Sequence, residues 1–596
     1  MIYPIEMRRH SAAHVMAAAV QRLFPEAKFG VGPVVEHGFY YDIDIGRAIT
    51  PEDTEAIDRE MRRIIIENPA FVREEVSLDD AIRLFAQMGQ TYKVELLNDL
   101  KTKGTTRVSV EESQDVDPQN VGSVSLYKTG VFVDLCRGPH VTETKEIGAW
   151  RLVKVAGAYW RGKDTNPQMQ RIYGWCFATA EELERHAQMM VEAEKRDHRK
   201  LGKDLHLFTI IDEIGPGLPL FYPKGAVLRR NVEGFITELQ ERRGYEPIWI
   251  PHITKGKLYE ISGHLEKYDA MYPPMELKDE ASYYLKPMNC PHFMMLYKSV
   301  PHSYRELPVR YVCTTTNYRY EKSGELTGLT RVRSLTQDDC HVFVMPSQIE
   351  EEIGLMLDMV AEVYEAFQFK DFWVRISTHD PANASKYIGD PQVWESSELI
   401  LTRLIEGRGW LNEIGIGEAA FYGPKLDFMA KDVIGRPWQL STIQLDMNLP
   451  ERFGLEYADA EGGKKRPVVI HRALLGSTER FLGILIEHFA GAFPLWIAPV
   501  QVAILPVADR HVEQAMRLAE EFRTAGLRVA VDGSGESVGK KIRAAEMQKY
   551  PVMLVLGDQE IASSKLNVRR RGEKEQKIMQ KTEVLVELSE EVKQRK

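Results

Sequence analysis

Between Thr179 and Lys203 runs TAEELERHAQMMVEAEKRDHRKLGK, a densely charged segment that opens with a capping box, Thr179 and Glu182, and carries no wide apolar stripe. A helix of this kind cannot be buried in a hydrophobic core, so residues 179–203 read as a linker helix and the chain must fold as separate bodies on either side. Length agrees: 596 residues exceed what one core organises, at roughly 100–200 residues per domain. With 44% hydrophobic and 28% charged residues and no repeats, the composition is that of an ordinary globular protein.

Before the linker, a helix is expected over about Arg8–Phe24. Gly30, Gly32, Pro33 and Gly38 then punctuate a strand-like GFYYDIDI, and Thr50, Pro51 and Asp53 begin a second helix reaching about Asn68. Residues 1–178 therefore read as an α+β domain. From 204 to 495 long helices alternate with strands in one large domain. From 496 to 596 the pattern changes to VQVAILPV, a helix near His511–Ala525, LRVAVD, a helix near Val538–Tyr550, and PVMLVLG. Continuous apolar strands separated by amphipathic helices indicate a separately folding α/β unit with a parallel sheet.

No run approaches the roughly 18 uninterrupted apolar residues of a membrane span, and histidines interrupt the only apolar stretch near the start. Cys136, Cys176, Cys290, Cys313 and Cys340 are too few and scattered for a disulfide framework. A cytoplasmic location is expected, without a membrane partner. The net charge of −10 argues against indiscriminate nucleic-acid binding but permits a local basic face.

Three ordered stretches of the large domain resemble the motifs of class II aminoacyl-tRNA synthetases. The first is AVLRRNVEGFITELQERRGYEPIWIP, helix then strand ending at Pro251; the second is LPVRYVCTTTNYRYEKSGELTGLTRVRSLTQDDCHVF; the third is VVIHRALLGSTERFLGILIEHFAG. In that class the first builds a homodimer interface. Joining a carboxylate to the α-phosphate of ATP gathers negative charge at phosphorus, for which fixed guanidinium groups are suited. By resemblance Arg319 holds the α-phosphate, Glu321 accepts from the adenine amine, Arg331 reaches the terminal phosphates, and Arg480 stacks on adenine and meets phosphate. Taken alone, Arg319 and Glu321 equally fit a structural ion pair. ATP would bring Mg²⁺, for which no ligand spacing is legible.

KPMNCP, TQDDCHVF, FYGPK and HRALLGSTER narrow the resemblance to the threonyl-tRNA synthetases, from Arg8 almost to the end. That family implies one Zn²⁺ per subunit on Cys290, His341 and His471, with L-threonine and tRNA(Thr) as substrates. Each residue alone also fits a buried thiol or a core histidine. Three protein ligands leave positions open, so threonine can chelate through amine and hydroxyl whereas valine cannot. A site that binds a polar group rejects its apolar analogue by ~10⁴, against ~10² for a missing methyl. The resemblance further puts Asp339 on the threonine hydroxyl, Tyr422 and Gln337 in the amino-acid pocket, Lys425 by the reacting carboxylate and phosphate, Gln439 by the ribose and Ser477 by substrate. His292 in CPHF is out of the family's histidine register and is not expected to be a ligand.

Serine carries the same hydroxyl and amine, and being smaller by a methyl it is discriminated only about 10- to 200-fold by binding. A hydrolytic editing site is therefore expected in the first domain. His10 and His14 share a helix face, and Cys136 and His140 follow in DLCRGPHV. Spacing alone favours zinc there; the resemblance implies metal-free editing by His10, His14, Lys93, Asp134, Cys136 and His140, with Tyr41 nearby. Many relatives carry a small domain before this one, for which no room remains ahead of His10. In the last domain, resembling an anticodon-binding domain, Arg569 and Arg571 are expected on one strand face and Glu560 at a base; a solvated basic edge fits these residues equally.

The expected fold is multidomain: an α+β editing domain, a class II catalytic domain on an antiparallel sheet, and a C-terminal α/β anticodon-binding domain. The alternatives are another class II enzyme such as the prolyl synthetase and a non-catalytic synthetase-like RNA-binding protein. The latter predicts damaged ATP motifs, whereas Arg319, Glu321 and Arg480 are intact.

Overall fold

The computed structural model describes residues 3–103, 122–162, 165–278, 281–432, 435–563 and 565–595. The chain forms two compact units, Met1–Val191 and Glu192–Lys596.

In the first unit the helix Ile5–Leu23 buries Ala12, Ala13, Val15, Met16, Ala17, Ala19 and Val20 completely. It packs on an antiparallel sheet ordered Lys28–Phe29, Gly38–Asp44, Gln168–Phe177, Ala149–Tyr159. A smaller antiparallel sheet joins Phe71–Ser77, Ser123–Thr129 and Phe132–Leu135. The helix Pro51–Glu67 starts as its sequence indicates, with the Thr50 hydroxyl accepting from the Asp53 N–H at 3.3 Å and Asn68 closing it at φ 55°.

The charged segment does begin with its capping box: the Glu182 N–H donates to the Thr179 hydroxyl at 3.2 Å, and the Thr179 N–H to the Glu182 carboxylate at 3.3 Å. It does not run unbroken to Lys203. The helix stops at Arg196, and Asp197, accepting from the Arg199 N–H at 2.8 Å, caps a second helix, His198–Asp204. Leu183, His186 and Ala187 are buried, giving the first helix a narrow apolar seam.

Among the described residues, the second unit is built on an eight-stranded sheet ordered Glu246–Pro247, Val309–Tyr318, Ser334–Val344, Val468–Ala473, Pro437–Asp446, Lys425–Lys431, Phe372–Thr378, Asn412–Ile416. The two outermost pairings are parallel and all between them antiparallel. Period-two alternation divides its faces. Val342, Ile470, Ile443, Leu426 and Val374 enter the main core with the helix Ile349–Ala366, whereas Gln337, Asp339, His341, His471 and Gln444 carry polar groups on the other face.

The carboxy-terminal sheet combines three parallel strands, Val529–Val531, Val502–Pro506 and Val552–Leu556, with an antiparallel pair, Lys565–Arg570 and Gln576–Gln580. The parallel sheet read from the sequence is thus corrected to a mixed one, since the last two strands are polar and lack the continuous apolar run that marks the others. This sheet lies in the same compact unit as the eight-stranded one. Arg571 ties the two, its guanidinium donating to the carbonyls of Lys549, Ala492 and Phe493 at 2.6, 2.9 and 2.7 Å.

Candidate active sites

The long strand Ser334–Val344 places Gln337, Asp339 and His341 two residues apart on one face, with His471 directly opposite His341 in the register. Cys290 opens the helix Cys290–Lys298, where Pro291, lacking an N–H, suits the first turn. Ligand atoms of Cys290, His341 and His471 lie within 4.8 Å of one another, all buried. His341 is fully buried, and neither of its ring nitrogens has a hydrogen-bond partner. His471 Nε2 meets Asp446 at 2.9 Å, leaving Nδ1 unpartnered. A carboxylate that takes the N–H of one ring nitrogen frees the lone pair of the other, as in the outer shell of metal sites. Orphaned nitrogens at such burial fit a metal ion in the space between them.

The Asp339 carboxylate accepts from Asn289 Nδ2 at 2.8 Å, and burial raises its pKa to about 6. Burial pushes His341 well below the ordinary imidazole range. Burial opposes charge on His471, but Cys290 and Asp446 outweigh it and raise its pKa to about 10. Tyr422 stacks on His471 with centroids 5.2 Å apart, and its hydroxyl donates to Gln444 at 2.6 Å. Gln337 accepts from Asn317 at 2.6 Å and donates to the Gly476 carbonyl at 3.1 Å. Lys425 and Gln439 converge on one carboxylate: both donate to Asp427, Gln439 at 2.7 Å, together with Ser377 at 2.8 Å. Lys286, fully buried, donates to Thr315 at 2.7 Å and is lowered to about 8 by burial. His292 is buried with both nitrogens unpartnered and is absent from the metal-competent cluster.

Arg319 follows the strand Val309–Tyr318, and its Nε reaches the Pro287 carbonyl at 3.4 Å. Glu321 accepts from Arg331 at 2.9 Å, and Arg331 also meets Glu325 at 3.0 Å. Ser477 caps the helix Thr478–His488 by accepting from the Arg480 N–H at 3.3 Å. Gly476 (φ +68°) makes the preceding turn, where a Cβ would lie 2.3 Å from the Leu440 carbonyl oxygen. Burial, then the nearby Arg319 and Arg331 charges, lower the Arg480 pKa.

In the first unit all seven residues expected of the editing site come together. Cys136 Sγ lies 3.3 Å from His10 Nε2 and 3.2 Å from His140 Nε2, and it accepts from the Gly138 N–H at 3.2 Å. Asp134 is gripped by Lys93 at 2.7 Å and by the Tyr41 hydroxyl, with His14 at 3.6 Å. Burial lowers His10 to about 4 and holds His14 and His140 well below the ordinary value, so all three rings are neutral near pH 7. Ligand atoms of His10, His14, Cys136 and His140 also lie within 4.8 Å of one another.

The carboxy-terminal residues are more dispersed. Arg569 is half-buried on Lys565–Arg570. Arg571 lies past that strand's end, its guanidinium bound to three carbonyls, which corrects its expected place beside Arg569 on a strand face. Glu560 accepts from the Gly557 N–H at 2.9 Å. Residues that sequence reasoning missed are Asn289, Asp427, Gln444, Asp446 and Ser11, the last 3.1 Å from His140 Nδ1. Only Asn289 lay inside a recognised motif, KPMNCP; for the others no local signal exists.

Residues 274–489 match the tRNA synthetase class II core domain (G, H, P, S and T), residues 501–591 an anticodon binding domain, and residues 124–173 the threonyl and alanyl tRNA synthetase second additional domain. A threonine–tRNA ligase of Rubrobacter xylanophilus is 50% identical over 95% of this chain and 85% of that protein, and one of Geobacillus kaustophilus 44% identical over 99% and 88%. The solved RNA binding domain of threonyl-tRNA synthetase from Cryptosporidium parvum superposes with a TM-score of 0.63 at 35% identity, covering 66% of this chain and 98% of that one. Neither the prolyl-type nor the non-catalytic alternative is favoured by these relatives, and the chain belongs to the threonine–tRNA ligase family.

Proposed function

We propose that the second unit activates L-threonine with ATP and transfers it to tRNA(Thr), and that the first hydrolyses mischarged seryl-tRNA(Thr). The observation that carries this is the cluster of Cys290, His341 and His471, with three orphaned ring nitrogens, beside Asp339 on the polar sheet face. Cys290, His341 and His471 would hold zinc, which would supply Lewis-acid coordination for the amine and hydroxyl of threonine. Asp339, oriented by Asn289, accepts the hydroxyl's hydrogen bond, an interaction valine cannot make. Gln337 and Tyr422 line the same pocket, with Ser477 at its edge.

In the first step a threonine carboxylate oxygen attacks the α-phosphorus of ATP, and the bond to pyrophosphate breaks. Arg319 holds the α-phosphate, Arg480 the adenine and a phosphate, and Arg331 the terminal phosphates carried with Mg²⁺. Glu321, which pairs with Arg331 in the free chain, turns to the adenine amine as the phosphates draw Arg331 away. Lys425 approaches the reacting carboxylate and phosphate, and Gln439 the ribose; Asp427 holds both. A terminal ribose hydroxyl of the tRNA then attacks the acyl carbon and AMP leaves.

At the editing site the neutral rings of His10, His14 and His140, with Cys136, Tyr41, Lys93 and Asp134, position a seryl ester and water without a metal. The support is that Cys136 Sγ and His140 already engage one another and their neighbours. This reading assigns residues 1–178 to editing, 179–203 to the linker, 204–495 to catalysis and 496–596 to the anticodon, with Glu560 and Arg569 in the last. Homodimerisation through residues 226–251 is supported by Trp249, 79% exposed beside the edge strand Glu246–Pro247. A cytoplasmic site of action is supported by five free cysteines; among the described residues no helix is long and apolar enough to cross a membrane.

Pyrophosphate exchange into ATP across the twenty amino acids, with zinc quantified in the same preparation, tests the proposal. Exchange with threonine, weaker exchange with serine, none with valine and about one zinc per chain is the expected result. Exchange with a different amino acid overturns it.

A further inference from the structure

Asp197, His198 and Glu487 form a third cluster of metal-ligand residue types, but hydrogen bonds already occupy both ring nitrogens of His198. Nδ1 lies 2.7 Å from Glu487 Oε1, which also accepts from the His198 backbone N–H at 3.1 Å. On the other side, Nε2 lies 3.0 Å from the backbone nitrogen of Leu329. A carboxylate oxygen only accepts and a peptide N–H only donates, so the ring carries its proton on Nδ1 and offers a lone pair at Nε2. No lone pair remains for a cation.

Leu329 belongs to the loop that carries Arg331. The peptide group two further along is held too: the Thr330 carbonyl accepts from Arg480 Nε at 3.1 Å. Arg480, and Glu487 that holds His198, come from one helix, Thr478–His488. Arg480 and Glu487 are seven residues apart, two turns at 3.6 residues per turn, and therefore share a face. Gly483 lies between them on the side against the loop, where a Cβ would come to 3.3 Å from Leu329 Cβ and Thr330 Cγ2. Gly328 (φ +46°) is pressed so closely to the imidazole that a Cβ would sit 2.1 Å from His198 Nε2. The loop is thus laid along the helix and clamped at two peptide groups, those on either side of the Leu329–Thr330 peptide. Arg331, the next residue, closes a turn with Thr327, its N–H donating to the Thr327 carbonyl at 3.2 Å.

We propose that His198, held by Glu487, is a positioning residue for ATP binding, fixing the Leu329 peptide so that Arg331 and Arg480 face the same phosphates. The inference rests on the reading of those arginines as the ATP ligands. A guanidinium on a preorganised loop gives up less freedom when it binds, so loosening the clamp acts on ATP affinity and leaves the threonine pocket alone. His198 is the first residue of the helix that follows the break at Asp197, so the segment entering the second unit takes part directly in shaping the nucleotide site.

The test uses the full-length enzyme and the KM values for ATP and threonine in pyrophosphate exchange. His198→Ala leaves the buried Leu329 N–H without an acceptor, and the KM for ATP is expected to rise about tenfold while that for threonine stays within about twofold. His198→Gln, whose amide oxygen can accept from Leu329, is expected to recover most of the loss. Glu487→Gln keeps an acceptor oxygen and the side-chain volume, guards against a folding failure of the alanine variant, and is expected to raise the same constant by a smaller factor. An unchanged KM for ATP in His198→Ala, or parallel rises in both constants, overturns the inference. Arg480→Ala separates the two levels: if it leaves ATP dependence unchanged, the ATP reading itself fails, whereas a large effect there with none in His198→Ala removes only the clamp.

Discussion

Two clusters built from the same residue types, Cys290/His341/His471 in the second unit and His10/His14/Cys136/His140 in the first, differ in what surrounds their lone pairs. In the second unit neither His341 nitrogen is hydrogen-bonded, Nδ1 lying 3.6 Å from Asp339, and Asp446 takes one nitrogen of His471 and leaves the other open. In the first unit Cys136 Sγ is already in contact with His10, His140 and the Gly138 N–H, and Ser11 engages the second nitrogen of His140. Residue type and proximity alone do not say which of the two clusters holds a metal. The open nitrogens of the second unit support the zinc proposed there, whereas the engaged network of the first, in which His14 Nδ1 is still left open, supports the proposed metal-free hydrolysis.

The largest effect that could break this comparison comes from the metal ligands. Cys290→Ala or His341→Ala is expected to lose bound zinc and to lower threonine-dependent pyrophosphate exchange by about 10³-fold or more. Exchange that persists in a zinc-free variant would remove the distinction. Chelation of the wild-type enzyme sharpens it further, because threonine activation should fall with metal content while deacylation of seryl-tRNA(Thr) continues; parallel loss of both activities would put a metal in each cluster.

A smaller effect, on the order of 10²-fold, is expected in seryl-tRNA hydrolysis for His14→Ala, with the rate of threonine charging unchanged. Unaltered serine clearance would move editing elsewhere. Smallest is a pH effect on stability. The folded-state pKa of His10 is depressed, mainly by burial, to about 4 from the ordinary 6.5. Its neutral form therefore contributes stability that is fully present above about 6.5 and is lost as pH falls toward about 4. Thermal unfolding of the wild type is expected to shift downward across that window, and His10→Gln to flatten the shift; identical pH profiles would show that His10 is not held neutral by the fold.

Much of the fold was legible locally. Thr50, Pro51 and Asn68 bounded a helix because caps and proline act within a turn, and the terminal unit's apolar strands stood out because both of their faces are buried. The polar strands Lys565–Arg570 and Gln576–Gln580 escaped because they carry no continuous apolar run, and the break at Asp197 because a charged helix hides a capping aspartate among its neighbours. In the active sites, the residues named from motifs converge, but Asp427, Asp446 and Gln444 do not announce themselves: each matters through a partner brought to it by sheet register.

By itself the sequence determined the family-bearing motifs, the helix starts and the residue types available for zinc, phosphate and ester chemistry. These are properties of short stretches. Only the tertiary structure decided which nitrogen of His471 is free, that Lys425 and Gln439 share Asp427, that Arg571 binds carbonyls of its own chain, and that His198 reaches the loop of Arg331. The physical reason is that a lone pair or a guanidinium acquires its role from the one group that faces it, and the fold sets that group, whether it lies two residues away, as Asp427 does from Lys425, or 131 away, as Leu329 does from His198.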